Sequence, residues 1–175
     1  MAPTWWPILE LGLTSIKLRT TPNLFSKEWL TAPSNHRTEF SVKSRLLYFS
    51  LQGYVPIHSY GQKILYPWSY TGVRLPDWKE MQTVGKIMGR AIEQASGLDY
   101  AVGSAPYTQY LAAGGADDWA RGEMGIKWVF LIELPDTGTF GFLLPANKIV
   151  PTGQSVFEGI RALAVTISHK LSYYY

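Results

Sequence analysis

The hydrophobic pattern changes character near residue 39. Residues 1–38 carry no sustained period: Pro3, Pro7, Pro22 and Pro33 interrupt them, and Ser, Thr and Asn fill the intervals, so loop or poorly ordered chain is expected. From Glu39, the run EFSVKSRLLYFSLQ sets Val42, Leu46, Leu47 and Phe49 at helical spacing, with Gly53 placed to end the helix. YVPIHSY and KILYPW are short β-rich runs on either side of Gly61, which predicts strand, turn, strand. After Pro76-Asp77, Met81, Val84, Ile87, Met88 and Ile92 share one helical face that ends at Gly97. Residues 100–122, rich in Gly, Ala, Ser and Tyr, show no clear element. IKWVFLIEL is continuously apolar, the pattern of a strand buried on both faces, and DTGTFGFLLP reads as a turn followed by short extended chain. Residues 152–171 predict an amphipathic helix with Val156, Ile160, Leu163, Ala164 and Ile167 inward. Strands set between helices give an α/β fold, a sheet with helices packed on its faces.

Composition narrows the chemistry. The 175 residues suit one domain, and 46% hydrophobic with 14% aromatic residues argue for a packed core over disorder. With no Cys, a disulfide scaffold, a thiolate zinc site, an iron–sulfur site and a Cys nucleophile are excluded. The net charge of +3 comes from scattered residues, so no basic stripe marks a nucleic-acid footprint. Apolar runs stop well short of the ~20 residues a bilayer demands, so no membrane span is expected. The opening MAPTWWPILELGLTSIKLRTTP lacks a basic leader, and its apolar run holds Pro7 and Glu10, so no signal peptide is visible.

Sites in α/β sheets gather beyond the carboxyl ends of strands. His58 ends YVPIH and Glu133 ends IKWVFLIE. A polar residue closing an apolar strand either marks the sheet rim or points into a cleft, and the pattern alone leaves both open.

The runs IHSYGQKILYPWSY, YLAAGGADDWA and GIKWVFLIELPDTGTFGFLLP, in that order, resemble the zinc metallocarboxypeptidases of the pancreatic A/B type. The resemblance covers residues 39–175 and is to the C-terminal half of the catalytic domain, leaving 1–38 as a divergent segment. It implies a mixed β-sheet flanked by helices, a partial zinc carboxypeptidase fold, with Zn as cofactor and peptide or protein C-termini as partners. By that resemblance His58 is a zinc ligand and Glu133 the general base/acid that takes a proton from the water at the metal. Tyr110 is similar to the mobile tyrosine that closes over the substrate's last residue. Ser59, Tyr60 and Phe142 match subsite positions, and Ser69 and Ala105 match small pocket positions. Asp117 falls where the family's pocket floor separates basic from apolar preference, and a buried carboxylate there favours Lys or Arg. Its competing reading is a solvated loop residue beside Asp118. The family is mostly exported, which implies an extracellular setting.

Several departures weigh against a complete site. The family's first two zinc ligands form a His-x-x-Glu motif well before the third. Here His36-Arg37-Thr38-Glu39 has that form, and positions i and i+3 share a helical face. But Glu39, followed by Val42-Lys43-Ser44, matches a later helix start in the family, and the match at His36 is taken as coincidence. Lys63 replaces a usual aliphatic residue, Leu131 a smaller polar one and Pro135 an Arg, while His169 reads as a surface residue near a helix end. Two functions follow: a zinc-dependent carboxypeptidase releasing C-terminal, basic residues, or a truncated, catalytically incompetent remnant or peptide-binding module without the His-x-x-Glu ligands. Oligomeric state is not indicated.

Overall fold

The computed structural model describes residues 15–19 and 51–172. Its strands are β1 (Ser15–Arg19), β2 (Leu51–Ser59), β3 (Lys63–Tyr66), β4 (Ala101–Ser104), β5 (Trp128–Val129) and β6 (Leu131–Leu134). They form a mixed sheet in the order β1-β2-β6-β3-β4, with β5 pairing β2. Helix α1 (Trp78–Ser96) links β3 to β4; α2 (Ala105–Thr108) and α3 (Ala116–Gly122) lie between β4 and β5; α4 (Ile149–Ser172) closes the described chain.

The strand–turn–strand expectation around Gly61 holds as β2 and β3. Elsewhere the ladder overrides local pattern. The loop expected through residues 1–38 contains β1, which pairs antiparallel with β2 from Ser15↔Pro56 to Arg19↔Leu51. Gly53 does not end a helix: it is buried inside β2, opposite Leu18 on one side and Trp128 on the other. Val42, Leu46, Leu47 and Phe49 lie outside the described residues. The run IKWVFLIEL is mostly buried, with Lys127 exposed and Leu131 and Leu134 half-buried, and it divides at Phe130, whose N–H donates to the Tyr54 carbonyl at 3.1 Å. Residues 100–122, without a clear element in the sequence, hold β4, α2 and α3, and DTGTFGFLLP forms turns without a strand.

The helices show which apolar residues a face can use. In α1 the buried stripe is Met81, Val84, Gly85, Met88, Gly89 and Ile92, and Gly97 ends the helix at φ 72°. Ile87, expected inward, is exposed, because it sits one 100° step off that stripe. Helix α4 begins at Ile149, earlier than the pattern predicts, with Pro151 tolerated in its first turn, and it buries Ser155, Val156, Gly159, Ile160, Leu163 and Ile167 while Ala164 is half-buried. A Cβ at Gly159 would lie 2.7 Å from Ile92 Cγ1, so the absent side chain lets α4 approach α1.

Both helices cover one side of the sheet, where Val55, Ile64, Tyr66, Phe130 and Ile132 join Met81, Met88, Ile160 and Leu163 in a single core. Charged ties run along its edge: Glu80 of α1 meets Lys170 of α4 at 2.7 Å and Lys127 at 2.9 Å. Arg121 of α3 grips both oxygens of Asp77 at 2.8 Å. The other side of the sheet is left for α2, α3 and the loops, and it is there that the polar residues gather.

Candidate active site

Side chains alternate along a strand, so residues paired across neighbouring strands share a face. Glu133 of β6 is the register partner of His58 on parallel β2 and of Lys63 on antiparallel β3. The helix side takes Ile132 and Ile64. His58, Glu133 and Lys63 therefore form a row on the opposite face. The row lies at the carboxyl ends of β2 and β6, where the Gly61 and Gln62 N–H groups donate to the Leu134 carbonyl at 2.9 and 3.3 Å and turn the chain into β3.

Burial separates the members of this row. Glu133 is 7% exposed, and its Oε2 has no hydrogen-bond partner among the described residues. His58 is exposed. The carboxylate thus lies within the face and the imidazole at its rim. An orphaned buried carboxylate oxygen is costly unless something arrives to bond it, which is what a proton-transferring group requires. Pro135 sits one residue past β6, so it removes no ladder donor, and the Leu134 carbonyl still accepts its two bonds.

A second cluster forms where α3 meets the chain after β3. Asp117, in the first turn of α3, is 1% exposed, and Ser69 Oγ donates to its Oδ2 at 2.6 Å. The solvated-loop reading of Asp117 is thereby overturned. The neighbouring carboxylate works on the backbone instead. Asp118 accepts the Ser69 N–H at 2.8 Å and the Tyr70 N–H at 2.9 Å. Burial lifts the Asp118 carboxyl above its ordinary value and the charge of Asp117 adds to the rise, against the lowering by these two bonds. Ala105 opens α2 and is buried, and Leu131 is half-buried opposite Leu65.

The remaining candidates are spread around the rim. Tyr60 and Phe142 meet edge-to-face with ring centroids 5.0 Å apart, and Ser59 is exposed beside them. Asp136 organises the loop that carries Phe142, accepting N–H bonds from Phe140 at 2.8 Å and from Gly138 and Gly141 at 3.0 Å. Desolvation would raise its carboxyl, but these bonds prevail and hold it below its ordinary value. Tyr110 is 64% exposed and makes no hydrogen bond or ring contact with the described residues, so it is not joined to Glu133. His169 is exposed in the last turn of α4. His36 and Glu39 lie outside the described residues.

His58 would be one ligand of a zinc centre, with Glu133 beside it in register. They do not complete one: among the described residues no group of three His, Asp or Glu side chains could hold a metal. Two further features escaped the sequence pattern. The Asp118 clamp had its signal in the Asp-Asp doublet, and a bond from Lys63 Nζ to Gln109 Oε1 at 3.2 Å had its signal in a charge within an otherwise apolar strand.

The sequence profile of the zinc carboxypeptidase family matches residues 34–159. The chain belongs to that family. Zinc carboxypeptidases are metalloproteases that use zinc, and the relatives matched here bear both A and B names. Carboxypeptidase B of Astacus astacus is 42% identical over 126 residues, covering 71% of this chain and 42% of the relative. Carboxypeptidase A1 of Bos taurus is 42% identical over 111 residues, 63% of this chain and 26% of its own length. Carboxypeptidase B2 of Homo sapiens is 44% identical over 115 residues, 65% of this chain and 27% of its own length. The chain thus spans less than half the length of these relatives. Among solved structures, bovine thrombin-activatable fibrinolysis inhibitor, crystallised with a tick carboxypeptidase inhibitor, superposes at TM-score 0.70 with 34% identity, over 74% of this chain and 44% of that one. The mixed sheet with flanking helices is therefore the zinc carboxypeptidase fold in part. No helix among the described residues is long and apolar enough to cross a membrane.

Proposed function

We propose that this chain supplies the proton-transfer and specificity side of a carboxypeptidase that releases C-terminal Lys or Arg from peptides. The observation that carries this reading is the buried Oε2 of Glu133, without a partner among the described residues and in register with exposed His58. Glu133 takes a proton from the attacking water at Oε2 and returns it to the leaving amine, work for which a positioned carboxylate is suited. His58 would be one of the ligands holding the zinc, which would supply Lewis-acid activation of the water. Asp117, fixed by Ser69, forms the pocket floor with Ala105 as a small wall residue, and receives the basic side chain. Tyr60, Ser59 and Phe142 line the approach of the preceding residues, and Tyr110, free in its loop, closes over the bound end. Residues 39–175 correspond in this reading to the C-terminal half of the family's catalytic domain, with 1–38 a divergent segment, and the setting is extracellular.

The test is zinc stoichiometry of the folded chain and of His58→Ala, followed by release of C-terminal Arg against C-terminal Leu. The reading expects about one zinc per chain, lost on the substitution, and faster release of Arg. A second reading is favoured by the lack of a three-ligand cluster among the described residues: a peptide-binding relative without turnover. Saturable binding of Arg-ending peptides with neither zinc uptake nor hydrolysis would select it.

A further inference from the structure

The residues of α1 sort by face. Met81, Val84, Met88 and Ile92 are buried against the sheet, and Lys79, Lys86 and Arg90 fall on the opposite line, at i, i+7 and i+11 along about 16 Å of helix. Arg74 adjoins this line across the Trp78 ring. Its guanidinium lies 4.2 Å from the centre of that ring and 4.9 Å from the Tyr107 ring, and Lys79 Nζ lies 5.8 Å from the Trp78 ring. All four cations are exposed, and their charged ends make no hydrogen bond or ion pair among the described residues. The carboxylates beside them in sequence are committed elsewhere. Asp77 is held by Arg121, and Glu80 is shared between Lys127 and Lys170. Glu93, one turn beyond Arg90, marks the far end of the line.

One unpaired surface cation is ordinary, but several in a line with their neighbouring acids committed elsewhere sustain a positive potential that complements a chain of spaced anions. Stacking holds the plane of Arg74 and leaves its N–H fork unspent, the arrangement that takes an oxyanion through two bonds. Two features select among polyanions. The Trp78 ring already carries two cations, so it offers no open platform for a stacked base. The side chains set among the cations are Thr83 and Ile87 on a convex helix ridge, which suits a stiff chain with regular charges better than a flexible acidic peptide that must be ordered on binding. The extracellular setting proposed above puts sulfated polysaccharides within reach.

We propose that the outer face of α1 is a docking surface for a sulfated polysaccharide, whose successive sulfates meet Arg74, Lys79, Lys86 and Arg90. Calorimetric titration of the full chain with a heparin oligosaccharide at rising salt tests it, with poly-glutamate and a DNA duplex as competing probes. Heparin should bind with a salt dependence that corresponds to about four neutralised anions. Lys86→Gln combined with Arg90→Gln should weaken it about tenfold or more and remove about two of those four. Lys148→Gln, a like change of charge on the turn before α4, should leave the affinity within about twofold. Arg74→Lys should retain the salt dependence and lose affinity, because the charge stays and the fork does not. If the double substitution leaves heparin binding unchanged, or Lys148→Gln weakens it as much, the attraction belongs to net charge and the α1 face is overturned. Binding of poly-glutamate or DNA as tightly as heparin overturns the polysaccharide as partner. No binding of heparin at about 0.05 M salt, where such contacts are strongest, overturns the proposal outright.

Discussion

The two faces of the sheet are built from alternate residues of the same strands and end in opposite conditions. On the helix side, Ile64, Ile132 and Val55 are fully buried against Met81, Met88 and Leu163. On the other side, Glu133 keeps an oxygen without a partner among the described residues, Lys63 settles for an amide, and Tyr60, Tyr110 and Phe142 stand in solvent. One-residue alternation is what allows this: a strand can anchor a core and present chemistry without either use constraining the other. The larger core lies on one face and the candidate site on the other.

The largest test of that division is Ile132→Ala, which opens a cavity at the centre of the helix-side core and should cost about 3 kcal/mol in urea unfolding. Its neighbour in sequence makes the contrast. Glu133→Gln should leave unfolding free energy within about 1 kcal/mol, or raise it, since a buried unpaired charge is removed, while any hydrolysis falls by about 100-fold or more. Comparable destabilisation by both substitutions would break the comparison. Asp118→Ala should lie between these in stability, costing about 2 kcal/mol by freeing two backbone N–H groups, and hydrogen exchange should quicken at Ser69 and Tyr70.

The smallest expected effect lies at the edge of the helix layer. Partial burial alone would raise the Glu80 carboxyl, but hydrogen bonds from Lys170 and Lys127, with their charges, pull it below its ordinary value. A carboxyl lowered by folding stabilises fully above its ordinary value and loses that contribution as pH falls through the lowered one. Thermal unfolding followed toward acid pH should show this step, and Glu80→Gln should remove it, with a change under about 1 kcal/mol because the cluster is solvent-screened.

The sequence was most legible where one period dominated. Met81, Val84, Met88 and Ile92 announced α1, and Ile160, Leu163 and Ile167 announced α4. It was least legible where pairing partners decide the outcome. The strand at Ser15–Arg19 exists through its ladder with β2, and Gly53 became strand because it is paired on both sides. The turns of α2 and α3 are too short to show a period. In the site, motif resemblance brought out His58, Glu133 and Asp117. The partnerships around them, Ser69 with Asp117 and Gln109 with Lys63 beside Glu133, join residues 48 and 46 positions apart and are matters of packing.

The aspartate doublet on α3 divides labour in a way that bears on how such a pocket changes over time. Asp118 fastens the chain at Ser69 and Tyr70 to the helix, while Asp117 is buried and accepts a bond from the Ser69 hydroxyl. The frame and the proposed selective group are adjacent letters. If Asp117 is the pocket floor proposed above, a mutation there redirects substrate choice while the loop stays fastened at 118, and preference is then open to drift where scaffold is not.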